Sequence, residues 1–218
     1  VDAALASVDQ GMSNLQKAIA LHDYLTVNCE YDKENLDKNT VPSVSHSTYG
    51  VFANRTAVCD GYALAYKYLL KQVGIDCYMV TSDEINHAWN LIKLDGQYYQ
   101  VDVTWDDPTW DLVGRSVHTY MFRSDDNFDP AGASQKHSGG RVTYGSQTVD
   151  YHATDTRYDN AFWTDCTSPL VLSGGDCYYI SPDGGQNKKP ALMKTSLNDT
   201  ASDGTALQEI DKWTVWLS

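Results

Sequence analysis

The chain has 218 residues, with 29 acidic against 16 basic side chains and a formal net charge of −13. A 42% share of hydrophobic residues is enough to build a substantial core, which excludes intrinsic disorder. With no basic stripe to neutralise phosphates, no nucleic-acid partner is expected, and with no apolar run long enough to cross a bilayer, no membrane span is expected.

The segment 13–27, SNLQKAIALHDYLTV, places Leu15, Ile19, His22 and Leu25 at three- and four-residue steps. This spacing predicts an amphipathic helix with Ser13 as its N-cap and His22 on the buried stripe in a structural role. YDKENLDKNTVPS then reads as a polar loop closed by Pro42. From Asp60 to Val73 a second helix is predicted, with Ala63, Tyr66, Leu69, Leu70 and Val73 on its apolar face. Gly74 stands where a left-handed residue ends a helix. IDCYMVTS reads as a strand. NHAWNLIKLDGQYYQVDVTW reads as a hairpin turned by Asp95-Gly96, the favoured type I′ pair. Beyond it YMFRSDD reads as a short strand, PAGASQKHSGG as a loop, and CYYIS, ALMKTS and WTVWLS as further strands.

The five cysteines, Cys29, Cys59, Cys77, Cys166 and Cys177, form no CxxC pair, so their spacing fits neither a zinc site nor a dense disulfide framework. Cys29 and Cys77 read as core residues, and Cys166 with Cys177 is the one pair close enough in sequence to suggest a bridge. The carboxylate clusters SDDNFD and DDPTWD follow no calcium-loop pattern and read as solvated turns. His118 and His137 fall in loop-rich sequence, where a ligand or substrate role stays open. Asn54-Arg55-Thr56 and Asn198-Asp199-Thr200 match the glycosylation triplet, a pattern common by chance.

A two-residue turn at Asp95-Gly96 makes Leu94 and Gln97 the flanking pair, sets His87 opposite Thr104 and sets Trp89 opposite Asp102. Alternation then gathers His87, Trp89 and Leu91 on one face with Tyr98, Gln100, Asp102 and Thr104. His87 and Asp102 become diagonal neighbours at roughly 7–8 Å between backbones, within reach of an imidazole–carboxylate hydrogen bond. The missing nucleophile is Cys59 at the start of the second helix, where unpaired backbone N–H groups and the helix dipole favour thiolate. Asp60 opposes this by adding a negative charge next to the thiol, which His87 has to outweigh. Each of the three residues taken singly has an ordinary structural role; the three together in register point to chemistry.

AVCDGYALAYKYLLKQVGIDCYMV followed by NHAWNLIKLDGQYYQVDVTWDD resembles the core of the transglutaminase-like superfamily, in its bacterial branch. The resemblance runs from about Tyr49 to Asp107. It implies a papain-like α+β fold in which a cysteine-bearing helix packs on an antiparallel sheet carrying the histidine and aspartate. Position by position, Cys59 matches the nucleophile, His87 the general base and Asp102 the residue that orients it. The implied activity is acyl transfer on peptide or glutamine-type amides through a thioester, without cofactor or metal. Hydrolysis is favoured over crosslinking, because the accessory domains of animal transglutaminases have no counterpart in these residues. The Cys59 amide is the first oxyanion donor, with Tyr49, Ser47 and His46 open as side-chain donors. Trp89, Trp105 and Tyr49 are the candidate pocket residues, the two tryptophans packing around the site.

The expected organisation is a catalytic core over residues 1–160 and a small β-rich extension over 161–218. A peptide or protein substrate is the expected partner. The acidic surface and the start at Val1, which reads as a processed end or an excised piece, fit a bacterial extracellular or cell-surface protein with cell-wall or surface association. The alternative is a non-catalytic binding or scaffold module that keeps this fold. An intact Cys-His-Asp set argues against it, since loss of one member is what a decayed site shows.

Overall fold

The computed structural model describes residues 1–107, 109, 114–144, 147–149, 151–197 and 204–209. Its first half runs through helix α1 (Asp2–Leu5), helix α2 (Asn14–Asn28), strand β1 (Glu30–Tyr31), helix α3 (Lys33–Asp37), strand β2 (Thr56–Ala57) and helix α4 (Cys59–Gln72). Strands β3 (Cys77–Ser82), β4 (His87–Leu94), β5 (Gln97–Val101), β6 (Arg141–Tyr144) and β7 (Gln147–Val149) follow. The chain continues into β8 (Val171–Ser173), β9 (Asp176–Ser181), β10 (Ala191–Ser196) and β11 (Thr205–Glu209). This is an α+β architecture. Strands β5-β4-β3-β6-β7 form one antiparallel sheet and β11-β10-β9-β8 a second.

Helix α2 begins as the sequence predicts. Ser13 Oγ accepts from the Gln16 amide at 3.2 Å and Gln16 Oε1 accepts from the Ser13 amide at 2.8 Å, a reciprocal capping box. Helix α4 buries Tyr62, Ala63, Tyr66, Leu69 and Leu70 and is followed by Gly74 at φ +80°. Each large side chain removed from water in this way contributes about 1.5–3 kcal/mol. The stretch expected to be all loop holds the short helix α3, stabilised by the i,i+4 pairs Lys33–Asp37 and Glu34–Lys38 instead of by an apolar face.

The hairpin register is the predicted one, Leu94↔Gln97 through Asn90↔Val101, with Asp95 at φ 50° and Gly96 at φ 85° in the turn. The ladder stops at Val101. The Asp102 amide donates to Tyr120 O instead of pairing with Trp89, so the predicted pairings of Trp89 and His87 are not ladder pairs. YMFRSDD forms no strand beyond a single bridge between Arg123 and Gln100, whereas β6 and β7 add an unpredicted hairpin beside β3.

Alternation along β4 and β5 divides the first sheet into two buried faces. Ile92, Leu94, Tyr99 and Val101 join the large core with α2 and α4, while Trp89 and Leu91 pack with Val80, Phe128, Val142 and Ala153 on the other side. Buried Asn90 donates to Ala63 O at 3.0 Å and so pins α4 across the sheet. Strands β9 and β10 confirm the CYYIS and ALMKTS readings. Their inward residues Cys177, Tyr179, Ala191 and Met193 belong to the same hydrophobic cluster as Leu21 and Leu25 of α2, so the buried core passes across position 160. The WTVWLS run and the Asn198 triplet lie outside the described residues. Among the described residues no helix is long and apolar enough to cross a membrane, and all five cysteines are free thiols, Cys166 and Cys177 included.

Candidate active site

Cys59 is the first residue of α4 and half-buried. Its helix has no side-chain N-cap; Val58 occupies the cap position and its amide donates to Ser45 O at 2.9 Å. As at any helix start, the ladder leaves the Cys59 and Asp60 amides unused, and these are the donors available to an oxyanion. Gly61 lets this start sit tightly on the preceding chain, because a Cβ there would lie 2.6 Å from Ser45 O and 2.9 Å from Ala57 Cβ. Asp60, which the sequence sets against thiolate formation, is engaged by His46, whose Nδ1 lies 2.8 Å from Oδ2.

His87 opens β4, and its Nε2 lies 2.6 Å from Asp102 Oδ2. That leaves Nδ1 for the thiol, with which the ring makes a side-chain interaction. Burial pulls the imidazole down, but the Asp102 charge, the Asp102 hydrogen bond and Cys59 together outweigh it and bring it up to about 10. Asp102 is fully buried. Its Oδ1 accepts from the amides of Thr104 at 2.9 Å and Trp105 at 3.1 Å. Burial pushes this carboxyl up, while the His87 charge and the hydrogen bonds from His137 and His87 prevail and hold it down at about 2.

An open cleft of about 1000 Å³ lies over these groups, lined by Cys59, His87, Trp105, Tyr31, Ile85 and Ala133 among others. The predicted pocket residues divide. Trp105 lines the cleft and stacks on His87 at 5.0 Å and 23°. Trp89 stands behind it as a buried support, stacked on His87 at 5.9 Å with its indole N–H donated to Gln100. Tyr49 is 65% exposed and outside the cleft lining, which corrects the expectation of a pocket role. Of the oxyanion candidates, Ser47 donates to Val44 O, and His46 lines the cleft but is paired with Asp60.

Sequence reasoning left His137 without a role. Its Nε2 lies 3.0 Å from the same Asp102 Oδ2 that His87 contacts, and its Nδ1 lies 2.7 Å from Asp129 Oδ1. Nothing in the spacing signals this, because Asp102 and His137 are separated by a loop with no periodic pattern. A second network lies inside the core: His22 bridges Asp23 at 2.9 Å and Asp106 at 3.2 Å, and His118 reaches Asp23 at 2.9 Å. Burial lowers His22, yet the bonds and charges of Asp106 and Asp23 raise it to about 9; burial raises Asp106. The reading of DDPTWD as a solvated turn is thus corrected at its first two residues. Asp106 and Asp107 are buried, the one bonded to His22 and the Tyr120 amide, the other to the Tyr62 hydroxyl. His87, Asp102 and His137, and likewise His22, Asp23 and His118, each bring three donor atoms within 4.8 Å, sets that could hold a transition metal. In both sets the donor atoms are hydrogen-bonded to one another, so a metal would have to displace those protons.

A thiol at a helix start, facing an imidazole braced by a buried carboxylate on a hairpin, is the arrangement of the cysteine-based acyltransferases and peptidases. Residues 3–103 match the family model of the transglutaminase-like superfamily. The chain is similar to kyphoscoliosis peptidase of Mus musculus, 24% identical over 112 residues, covering 45% of this chain and 17% of that protein. The Homo sapiens protein of that name is 30% identical over 78 residues, covering 29% of this chain and 12% of that one. The chain thus spans less than a fifth of the length of these curated relatives. Among solved structures, a TGase matches with 20% identity and a TM-score of 0.41 over 47% of this chain and 29% of that one. An arylamine N-acetyltransferase from Bacillus cereus with a Cys-His-Glu catalytic triad matches with 12% identity and a TM-score of 0.38 over 96% of this chain and 68% of that one.

Proposed function

We propose that the protein is a cysteine-nucleophile enzyme acting on peptide or glutamine-type amides, with Cys59, His87 and Asp102 as its catalytic set and water as the favoured acceptor. The observation that carries this reading is the 2.6 Å contact between His87 Nε2 and buried Asp102, on a ring that interacts with Cys59 in an open cleft. Cys59 Sγ attacks the carbonyl carbon, and the electron pair of the C=O moves to oxygen, where amides at the helix start receive it. As the tetrahedral species collapses, the C–N bond breaks and His87 gives its proton to the departing amine. His87, now neutral, takes a proton from water as that water attacks the thioester. The acid leaves, and the thiolate–imidazolium pair is restored. Asp102 keeps the ring oriented and stabilises its charged form throughout.

The test is alkylation of Cys59 by iodoacetamide at pH 7, located by peptide mass mapping, in the natural protein and in His87→Ala. The reading expects fast modification that slows in the variant. A thiol that reacts no faster than a free cysteine, with no effect of His87→Ala, would favour a non-catalytic binding module of the same fold.

A further inference from the structure

We infer that Tyr31 is a further catalytic residue of this site, its hydroxyl donating a hydrogen bond to the oxyanion that forms when Cys59 attacks a carbonyl. The inference deepens the proposed function and rests on it. Tyr31 is half-buried and lines the cleft together with Cys59 and His87. Among the described residues no group hydrogen-bonds to its hydroxyl. A phenol carries one donor, and here that donor is free to turn to whatever occupies the cleft.

The backbone holds Tyr31 beside the helix start. Strand β1 runs parallel to β2 with Tyr31 paired to Ala57, and Cys59 follows two residues on. Paired strands lie about 4.8 Å apart, so the tyrosine and the cysteine leave neighbouring strands at nearly the same level. The amides on either side of Tyr31 are fixed: Glu30 donates to Arg55 O and Asp32 to Ala57 O, both at 2.9 Å. The next side chain is tied down as well. Asp32 accepts from Ser45 Oγ at 2.7 Å and from Asn35 at 2.8 Å, while Ser45 O accepts the Val58 amide. One serine therefore clamps the residue after Tyr31 to the residue before Cys59.

The surrounding charges place the hydroxyl near the reacting atoms. Burial acts on it first, then the Cys59 thiolate, then Asp102 and Asp60, and together they push the phenol up to about 12. It stays protonated beside the thiolate, as a donor must. The other cleft donors are engaged or stand elsewhere: His46 is paired with Asp60, Lys33 with Asp37, and Trp105 is stacked on the base His87. Tyr31 comes from the strand beside the Cys59 and Asp60 amides, so amides and hydroxyl can meet on one oxygen.

Two probes of Cys59 separate this role from a structural one. With p-nitrophenyl acetate, the thiolate attacks the carbonyl carbon, the C=O electron pair moves to oxygen, and collapse expels p-nitrophenolate and leaves a thioester. With iodoacetamide, the thiolate displaces iodide from carbon, and no oxygen gains charge. Both rates are measured at pH 7 in the natural protein and in Tyr31→Phe, with the Cys59→Ala background subtracted. Tyr31→Phe keeps the ring and removes only a hydroxyl that bonds nothing in the folded chain, so the variant should fold.

Acylation should fall by about tenfold or more, towards the 10²–10³-fold scale of one oxyanion donor, while alkylation stays unchanged. Unchanged acylation in Tyr31→Phe overturns the inference. So does an equal fall in both rates, which would make Tyr31 a support for the thiol alone. The proposed function is read separately, on the natural protein: if its Cys59 reacts with neither probe faster than a free cysteine, that reading fails and takes this inference with it. Fast reaction with both probes, left unaltered by Tyr31→Phe, overturns the inference alone.

Discussion

Asp60 Oδ2 lies 2.8 Å from His46 Nδ1, so the carboxylate next to Cys59 in sequence is engaged by a ring that can carry positive charge. The pair is partly exposed, 47% for His46 and 33% for Asp60, so its influence is screened. His46→Ala should therefore slow Cys59 alkylation at pH 7 by no more than about fivefold, the scale of an exposed ion pair worth 1 kcal/mol or less. Adding Asp60→Asn to that variant should restore the rate. Second-order alkylation rates of the three proteins check this.

Gly61→Ala tests how tightly the start of α4 must sit. The new methyl would meet backbone, Ser45 O at 2.6 Å, which cannot rotate away. Overpacking of this kind costs about 1–3 kcal/mol. An unfolding free energy from urea titration lowered by that amount is expected, together with slower Cys59 alkylation because the helix start moves off the His87 ring.

Asp102→Asn should leave the two backbone amides of Thr104 and Trp105 with an acceptor at Oδ1 but confront two imidazole Nε2 atoms with an amide. The His87 tautomer then inverts. A loss of about 10⁴-fold in kcat is expected, with a much smaller change in KM. Steady-state kinetics on any peptide amide found to be turned over gives the split.

The core network predicts a pH dependence of stability. His22 is fully buried, and its value when folded, about 9, lies above its ordinary 6.5. A raised folded value means that the charged ring stabilises the fold fully below pH 6.5 and that this contribution fades as pH rises towards 9. The loss is on the order of 3 kcal/mol. Urea midpoints should fall between pH 6 and 10 in the natural protein and far less in His22→Gln, which is already destabilised at pH 6.

Much of the candidate site's geometry was legible because it rests on local rules. Asp95-Gly96 fixes the hairpin register, the register brings His87 near Asp102, and a helix pattern beginning at Cys59 sets the thiol at an N-terminus. What escaped depends on long loops. His137 meets Asp102 only because the chain between them folds back under Phe128 and Asp129, and no periodicity encodes that return. Asp106 and Asp107 look like turn carboxylates until a histidine from α2 and a tyrosine from α4 arrive to satisfy them. Helix α3 has no apolar stripe; its only signal is charge at four-residue spacing. Tyr49, next to a π-helical turn at Gly50–Asn54, points to solvent although it precedes the motif closely in sequence.

The central claim is that Cys59 takes up an acyl group, and intact-protein mass spectrometry tests it most directly. The protein is incubated with a library of peptide amides, quenched in acid and mapped by fragmentation. The account predicts an acyl adduct on Cys59, labile to hydroxylamine, absent from Cys59→Ala and accumulating in variants that impair removal of the proton from water. No adduct on Cys59 with any amide, or an adduct on another cysteine that persists in Cys59→Ala, would contradict it.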